Sequence, residues 1–241
     1  MVVRKTGIRR PQAVRELVEC LEEIYGKARR IARFDPMEEL VSCILSQHTT
    51  DASSFPAFTK LRETYSTWEE IADADPADLA KTIQKAGLAN QKAKSIIGCL
   101  KKIHEATGSY SLESLRHMPT MPARDWLMAL PGVGPKTASI VLCFSFGRET
   151  IPVDTHVFRV AKRLGLLGEK DDENKAHNVL LEMVPKDLAF RFHLALIQHG
   201  RKICRAPLPN CRECPLTDRC AWFKVNAGVV KKQVRQARGG S

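Results

Sequence analysis

The stretch Leu130–Arg159, LPGVGPKTASIVLCFSFGRETIPVDTHVFR, constrains the fold more than any other part of the chain. It opens on Pro131-Gly132-Val133-Gly134-Pro135, two glycines and two prolines in five residues. Gly132 and Gly134 can take φ > 0 and let a backbone or a phosphate approach closely. Pro135 suits the first position of a new helix, where its missing N–H is not needed. A tight hairpin between two helices follows, with Lys136 in the first turn of the second. The run Thr137 to Phe144 reads as a mostly apolar, buried helix ending near Gly147. A helix of about 11 residues rises roughly 16 Å. The return segment from Arg148 to Val153 spans about 20 Å when extended. Asp154, 18 residues after Lys136, can therefore lie beside it. Asp154-Thr155-His156 also reads as a cap opening the next helix.

A lysine and a carboxylate at two helix N-termini suit amine nucleophilic catalysis. A free lysine is protonated, and a helix dipole with partial desolvation lowers its pKa. On residue types alone, a buried ion pair beside an ordinary N-cap fits equally well. The hairpin shifts the balance, because N–H groups of Gly132, Val133 and Gly134 next to a helix N-terminus make a phosphate cradle.

The rest of the chain reads as helices. Val14, Leu17, Val18, Leu21 and Ile24 keep helical spacing after Pro11. Asp35-Pro36 caps and starts a second helix with an apolar stripe of Leu40, Val41, Ile44 and Leu45. That helix runs out in the polar segment Ser46-Gln47-His48-Thr49-Thr50-Asp51. Ala86-Gly87-Leu88 is a glycine turn feeding a helix with Ile96, Ile97 and Leu100. Leu88 fits a capping hydrophobe there, and Lys92 and Lys94 fit either a solvated face or phosphate contacts. No segment alternates like a strand, so the expected class is all-α. The net charge of +11 favours a polyanionic partner, nucleic acid or an acidic membrane face. No apolar run is long enough to span a membrane, and no apolar segment follows the basic start MVVRKTGIRR, so no secretory signal is expected.

Of eight cysteines, Cys20, Cys43, Cys99 and Cys143 are scattered in apolar helical patterns and read as reduced core thiols. The other four, Cys204, Cys211, Cys214 and Cys220, form C-x6-C-x2-C-x5-C within 17 residues. Pro207, Pro209 and Pro215 keep that loop from being helical, so a metal centre is expected to organise it. Tetrahedral zinc usually takes two close cysteine pairs, and only one is present. A [4Fe–4S] cube accepts looser spacing. The residues favour the cube and leave zinc as its competitor.

Three of these segments together resemble the endonuclease III family of DNA glycosylases: Leu130-Pro131-Gly132-Val133-Gly134-Pro135-Lys136-Thr137-Ala138 its helix-hairpin-helix, Val153-Asp154-Thr155-His156-Val157-Phe158-Arg159 its catalytic-aspartate segment, and the cysteine spacing its [4Fe–4S] loop. The resemblance covers roughly residues 12 to 222. It implies a bifunctional DNA glycosylase/AP lyase of base excision repair. Lys136 would attack C1′ of a damaged nucleotide, oxidised pyrimidine being the family default, and Asp154 would assist. Gln47 and His48 would face the lesion site and Leu88 would wedge into the duplex. Arg201 and Arg205, near the cluster loop, would meet phosphate. The partner implied is double-stranded DNA with damaged bases or abasic sites, for a monomer in the cytoplasm at the nucleoid. Two departures stand out: Pro135 replaces a residue that is basic in many members, and, although a glutamine is usual near Gln47 or His48 and Thr50 and Asp51 match well, the intervening residues differ from the best-known members. A monofunctional mismatch or uracil glycosylase, and a non-catalytic DNA-binding iron–sulfur protein, are the alternatives.

The architecture implied is two helical lobes with a DNA-binding cleft between them. A six-helix barrel would cover 29–148, with the hairpin motif at about 122–146. Residues 1–28 and 149–222 would form the cluster lobe, with the loop at 204–220. Residues 223–241 would be a flexible basic tail.

Overall fold

A computed structural model describes residues 7–29, 34–226 and 228. Arg4 and Lys5 of the basic N-terminal segment, and the tail beyond 228, lie outside the described residues. The α-helices in chain order are α1 (Pro11–Tyr25), α2 (Pro36–Ser46), α3 (Asp51–Thr64), α4 (Trp68–Asp73), α5 (Pro76–Thr82), α6 (Ala89–Thr107), α7 (Thr120–Met128), α8 (Pro135–Phe144), α9 (Thr155–Leu164), α10 (Glu173–Met183) and α11 (Ala189–Lys202). No strand occurs among the described residues.

Side-chain caps set many of the helix starts. Asp35 Oδ1 accepts from Met37 N and Glu38 N at 2.8 and 2.9 Å, and Glu38 returns a carboxylate to Asp35 N. With Pro36 in the first turn, this is a reciprocal box. Thr67 and Glu70 repeat it at α4, while Asp75 and Asp172 cap α5 and α10. Each such cap stabilises by about 1 kcal/mol.

The chain divides into two units, residues 31–152 and residues 1–30 with 153–241. In the first, α2 packs on α3, α6 and α8, and α6 also packs on α4 and α5. Leu40, Ile44, Leu61, Ile71, Leu79, Ile96, Leu100 and Leu142 are fully buried among them. Burying each such side chain stabilises by about 1.5–3 kcal/mol. The segment after α8 is fixed inside this unit. Arg148 donates to the carbonyls of Arg116 and Met118 at 2.7 and 3.0 Å, and buried Thr150 donates to Ser139 O at 2.8 Å.

In the second unit, α1 packs on α11, and α11 on α9. Val14, Leu17, Val18 and Leu21 are buried as their spacing predicts; Ile24, at the end of α1, is 50% exposed. Glu22 of α1 pairs with Arg191 of α11. Gly200 lets α9 and α11 approach: a side chain there would meet His156 Cβ at 3.0 Å and Val160 at 3.2 Å. Residues 221–226, where the expected tail begins, are helical.

Candidate active site and metal centre

The hairpin between α7 and α8 is built as a tight turn on α6. Gly132 sits at φ 75°, and a Cβ there would stand 2.7 Å from Ser95 Cβ. The close approach expected of this glycine is therefore made by Ser95. Gly134 differs from expectation. It is extended, at φ −100° and ψ −179°, and caps α8 with open space where a Cβ would be. Val133 differs too: its side chain is buried in the core, and its N–H donates to Leu130 O at 3.2 Å. That N–H is spent within the hairpin, whereas the N–H groups of Gly134 and of the first turn of α8 have no intrahelical acceptor. Pro135 takes the first turn as expected, and Lys136 follows it, exposed.

The segment after α2 is tied to the same hairpin. Gln47 Nε2 donates to Gly132 O at 2.8 Å and to Thr137 Oγ1 at 3.4 Å. One face of the Gln47 amide is thus committed to holding the hairpin. His48, at φ 53°, is exposed. Leu88 adopts φ 49° and ψ 34° between Gly87 and α6, and it is 56% exposed. A leucine that closed a helix end would be covered; this one projects from a left-handed turn. A non-glycine residue in this region costs of order 1–3 kcal/mol, which the surrounding structure must offset. His48 and Leu88 are the only non-glycine residues with positive φ among those described.

Asp154, half-buried, caps α9 as its position predicts: Oδ1 accepts from Val157 N at 2.7 Å. One carboxylate oxygen is used this way. Lys136 and Asp154 thus each occupy a helix N-terminus, one in each unit.

Two arginines on α9, one turn apart, organise the cysteine loop. Arg159 donates to Cys204 O at 3.0 Å and Gly200 O at 2.9 Å. Arg163 donates to Arg205 O at 2.7 Å, Pro207 O at 3.0 Å and Cys204 Sγ at 3.4 Å. Arg163 belongs to no motif of the sequence; its i, i+4 spacing from Arg159, behind Asp154, is the signal that marks it. Cys204, Cys211, Cys214 and Cys220 line one cavity with apolar walls that include Val160 and Trp222. All four are free of disulfides. Among the described residues, no three His, Cys, Asp or Glu side chains group tightly enough to hold a single metal ion. Burial and the neighbouring thiols push Cys214 up to about 12 and raise Cys220. His199, fully buried, shares hydrogen bonds with Tyr25 Oη at Nδ1 (3.0 Å) and with Cys214 Sγ at Nε2 (3.5 Å), one ring nitrogen donating and the other accepting, and burial lowers its pKa to about 4. Arg201 and Arg205 are exposed beside the loop, Arg205 donating to Lys202 O at 2.9 Å.

Residues 41–186 match the family model described as HhH-GPD superfamily base excision DNA repair protein. An endonuclease III of Thermotoga maritima is 36% identical over 190 residues, 79% of this chain and 84% of the relative. An endonuclease III of Bacillus subtilis is 38% identical over 225 residues, 91% of this chain and 99% of the relative. A trapped endonuclease III–DNA covalent intermediate superposes with a TM-score of 0.77 at 31% identity, covering 90% of this chain and 98% of that one. The chain belongs to the endonuclease III family within the HhH-GPD superfamily. Its activity is of that family's class, DNA glycosylase and AP lyase in base excision repair.

Proposed function

We propose that this chain removes damaged bases, oxidised pyrimidines first among them, from double-stranded DNA and then cleaves the strand, with Lys136 as the nucleophile and Asp154 assisting it. The observation that carries this is Lys136 itself: an exposed amine in the first turn of α8, directly behind the hairpin. Similarity to an endonuclease III caught covalently on DNA supports a covalent route.

The chemistry follows from these residues. The amine nitrogen of neutral Lys136 bonds to C1′ as the bond from C1′ to the base breaks, and the base leaves with the bonding electrons. The Asp154 carboxylate, whose second oxygen is not the one capping α9, stabilises positive charge developing on the sugar. The amine loses its proton, the sugar ring opens to a Schiff base, and loss of a C2′ proton expels the 3′ phosphate by β-elimination. Leu88 fills the gap left by the extruded nucleotide, replacing lost stacking with apolar contact. Gln47 and His48 face the lesion site, and Gly134 with the first turn of α8 holds a phosphate.

The cysteine loop fits an iron–sulfur cluster: four thiols around one cavity, with apolar walls and arginine donors behind them. Cys204, Cys211, Cys214 and Cys220 would hold a [4Fe–4S] cube, which when bound supplies a rigid tie for the loop. Arg201 and Arg205 are thereby set against DNA phosphate. The units of residues 31–152 and of 1–30 with 153–241 serve as the hairpin lobe and the cluster lobe. No helix among the described residues is long and apolar enough to cross a membrane, and we place the protein in a reducing intracellular compartment as a monomer.

Borohydride trapping on a panel of duplexes tests this reading. Adducts on thymine glycol and dihydrouracil establish the oxidised-pyrimidine class. Trapping confined to an abasic site would keep the lyase and move the base specificity elsewhere, to Gln47 and His48. Release of uracil or a mispaired base with no adduct would make the enzyme monofunctional.

A further inference from the structure

Lys92 is a lysine that the reaction does not use and that the sequence places on a solvated face or at a phosphate. It is neither: only 3% of it is exposed. Its Nζ donates to Leu45 O and to Ala86 O, both at 2.7 Å. Its backbone N–H donates to Leu88 O at 3.0 Å. Burial lowers its pKa. A long cationic side chain normally keeps its head in water, and burying it on neutral carbonyls is costly unless the bonds are good.

What the two carbonyls have in common is position. Leu45 lies at the end of α2, where its carbonyl has no helical donor; a cation there also suits the negative end of the helix dipole. His48 follows three residues later, at φ 53°. Ala86 precedes Gly87 and then Leu88, at φ 49°. The ammonium therefore anchors the chain just ahead of both left-handed non-glycine residues.

We propose that Lys92 is a positioning residue: its buried ammonium bridges the segment that carries Gln47 and His48 to the turn that carries Leu88, holding both in the form that enters DNA. This rests on the assignment of those segments to the lesion site and the wedge. The bridge makes extrusion of a damaged base depend on a residue that does not touch DNA.

The test uses the full chain with its cluster and three variants, Lys92→Met, Leu88→Ala and the double, under single-turnover conditions. Thymine glycol is placed opposite adenine or opposite a missing base, where extrusion costs least. Lys92→Met is expected to slow base removal opposite adenine by about tenfold or more while changing the second substrate by about twofold at most. The double variant is expected to be no slower than the slower single variant, because both act on one step. Equal losses on the two substrates, or additive losses in the double variant, would overturn the proposal. Amide hydrogen exchange of Lys92→Met, and of Lys92→Gln, which keeps one donor, gives a readout independent of the reaction. Faster exchange confined to residues 46–50 and 86–90 supports the bridge, and unchanged exchange there overturns it. A parent protein that removes thymine glycol from neither duplex would refute the oxidised-pyrimidine reading and leave the exchange result to decide the bridge.

Discussion

Gln47 donates through Nε2 to the carbonyl of Gly132 at 2.8 Å, across 85 residues of sequence. The bond joins the end of α2 to the hairpin that presents Lys136. It needs a donor at position 47. Gln47→Glu places a carboxylate against a carbonyl oxygen and is expected to reduce both stability and trapping more than Gln47→Ala does. A loss of about 1–2 kcal/mol for the glutamate, measured by denaturant unfolding, checks this.

The two hairpin glycines should separate cleanly. Gly132→Ala forces a Cβ into Ser95 at a positive φ and is expected to destabilise by about 1–3 kcal/mol. Gly134→Ala meets no such contact and an ordinary extended backbone, so its melting temperature should match the parent's. If Gly134 faces phosphate, as proposed, the same variant binds duplex DNA more weakly in a titration.

Asp154 carries a cap and a proposed catalytic charge, and two substitutions tell them apart. Asparagine caps as well as aspartate, whereas alanine costs about 1 kcal/mol. Asp154→Asn is expected to keep the stability of the parent and lose most base removal. Asp154→Ala is expected to lose both. Thermal unfolding and single-turnover rates together give the result.

Leu88 sits in a strained left-handed turn and is exposed, so stability and function should oppose each other there. Leu88→Gly relieves the strain and is expected to stabilise the fold by about 1 kcal/mol. It also removes the wedge, so base removal from a paired lesion should fall while trapping on an abasic site changes little.

Cys214→Ser replaces one of the four thiols lining the cysteine cavity with a hydroxyl. Aerobically stable brown colour with four irons per chain is expected of the parent, and its loss, with an unravelled loop, of the variant. A parent that purifies with one zinc and no iron would replace the cube by zinc.

Much of this was legible in the sequence. Pro135 and Asp154 announce their helices because each cap is a local event, written within three or four residues. The stripes of α1 and α2 are legible for the same reason, except where Ile24 runs past the packed part of its helix. What the sequence hides is long-range. Gly134 is extended because Gly132 alone makes the turn, and Ser95 decides that from another helix. Lys92 reads as a surface lysine because the carbonyls that claim it belong partly to α2. Arg159 and Arg163 look like an ordinary basic face until the cysteine loop folds back onto them.

The most direct measurement is peptide mapping of the borohydride adduct. The protein is trapped on thymine glycol duplex, digested, and the cross-linked peptide identified by mass spectrometry, beside a Lys136→Gln variant. The DNA should be found on Lys136, and Lys136→Gln should bind the duplex yet form no adduct. An adduct on another amine, or full trapping by Lys136→Gln, would show that the nucleophile is elsewhere and that the hairpin lysine does not carry the reaction.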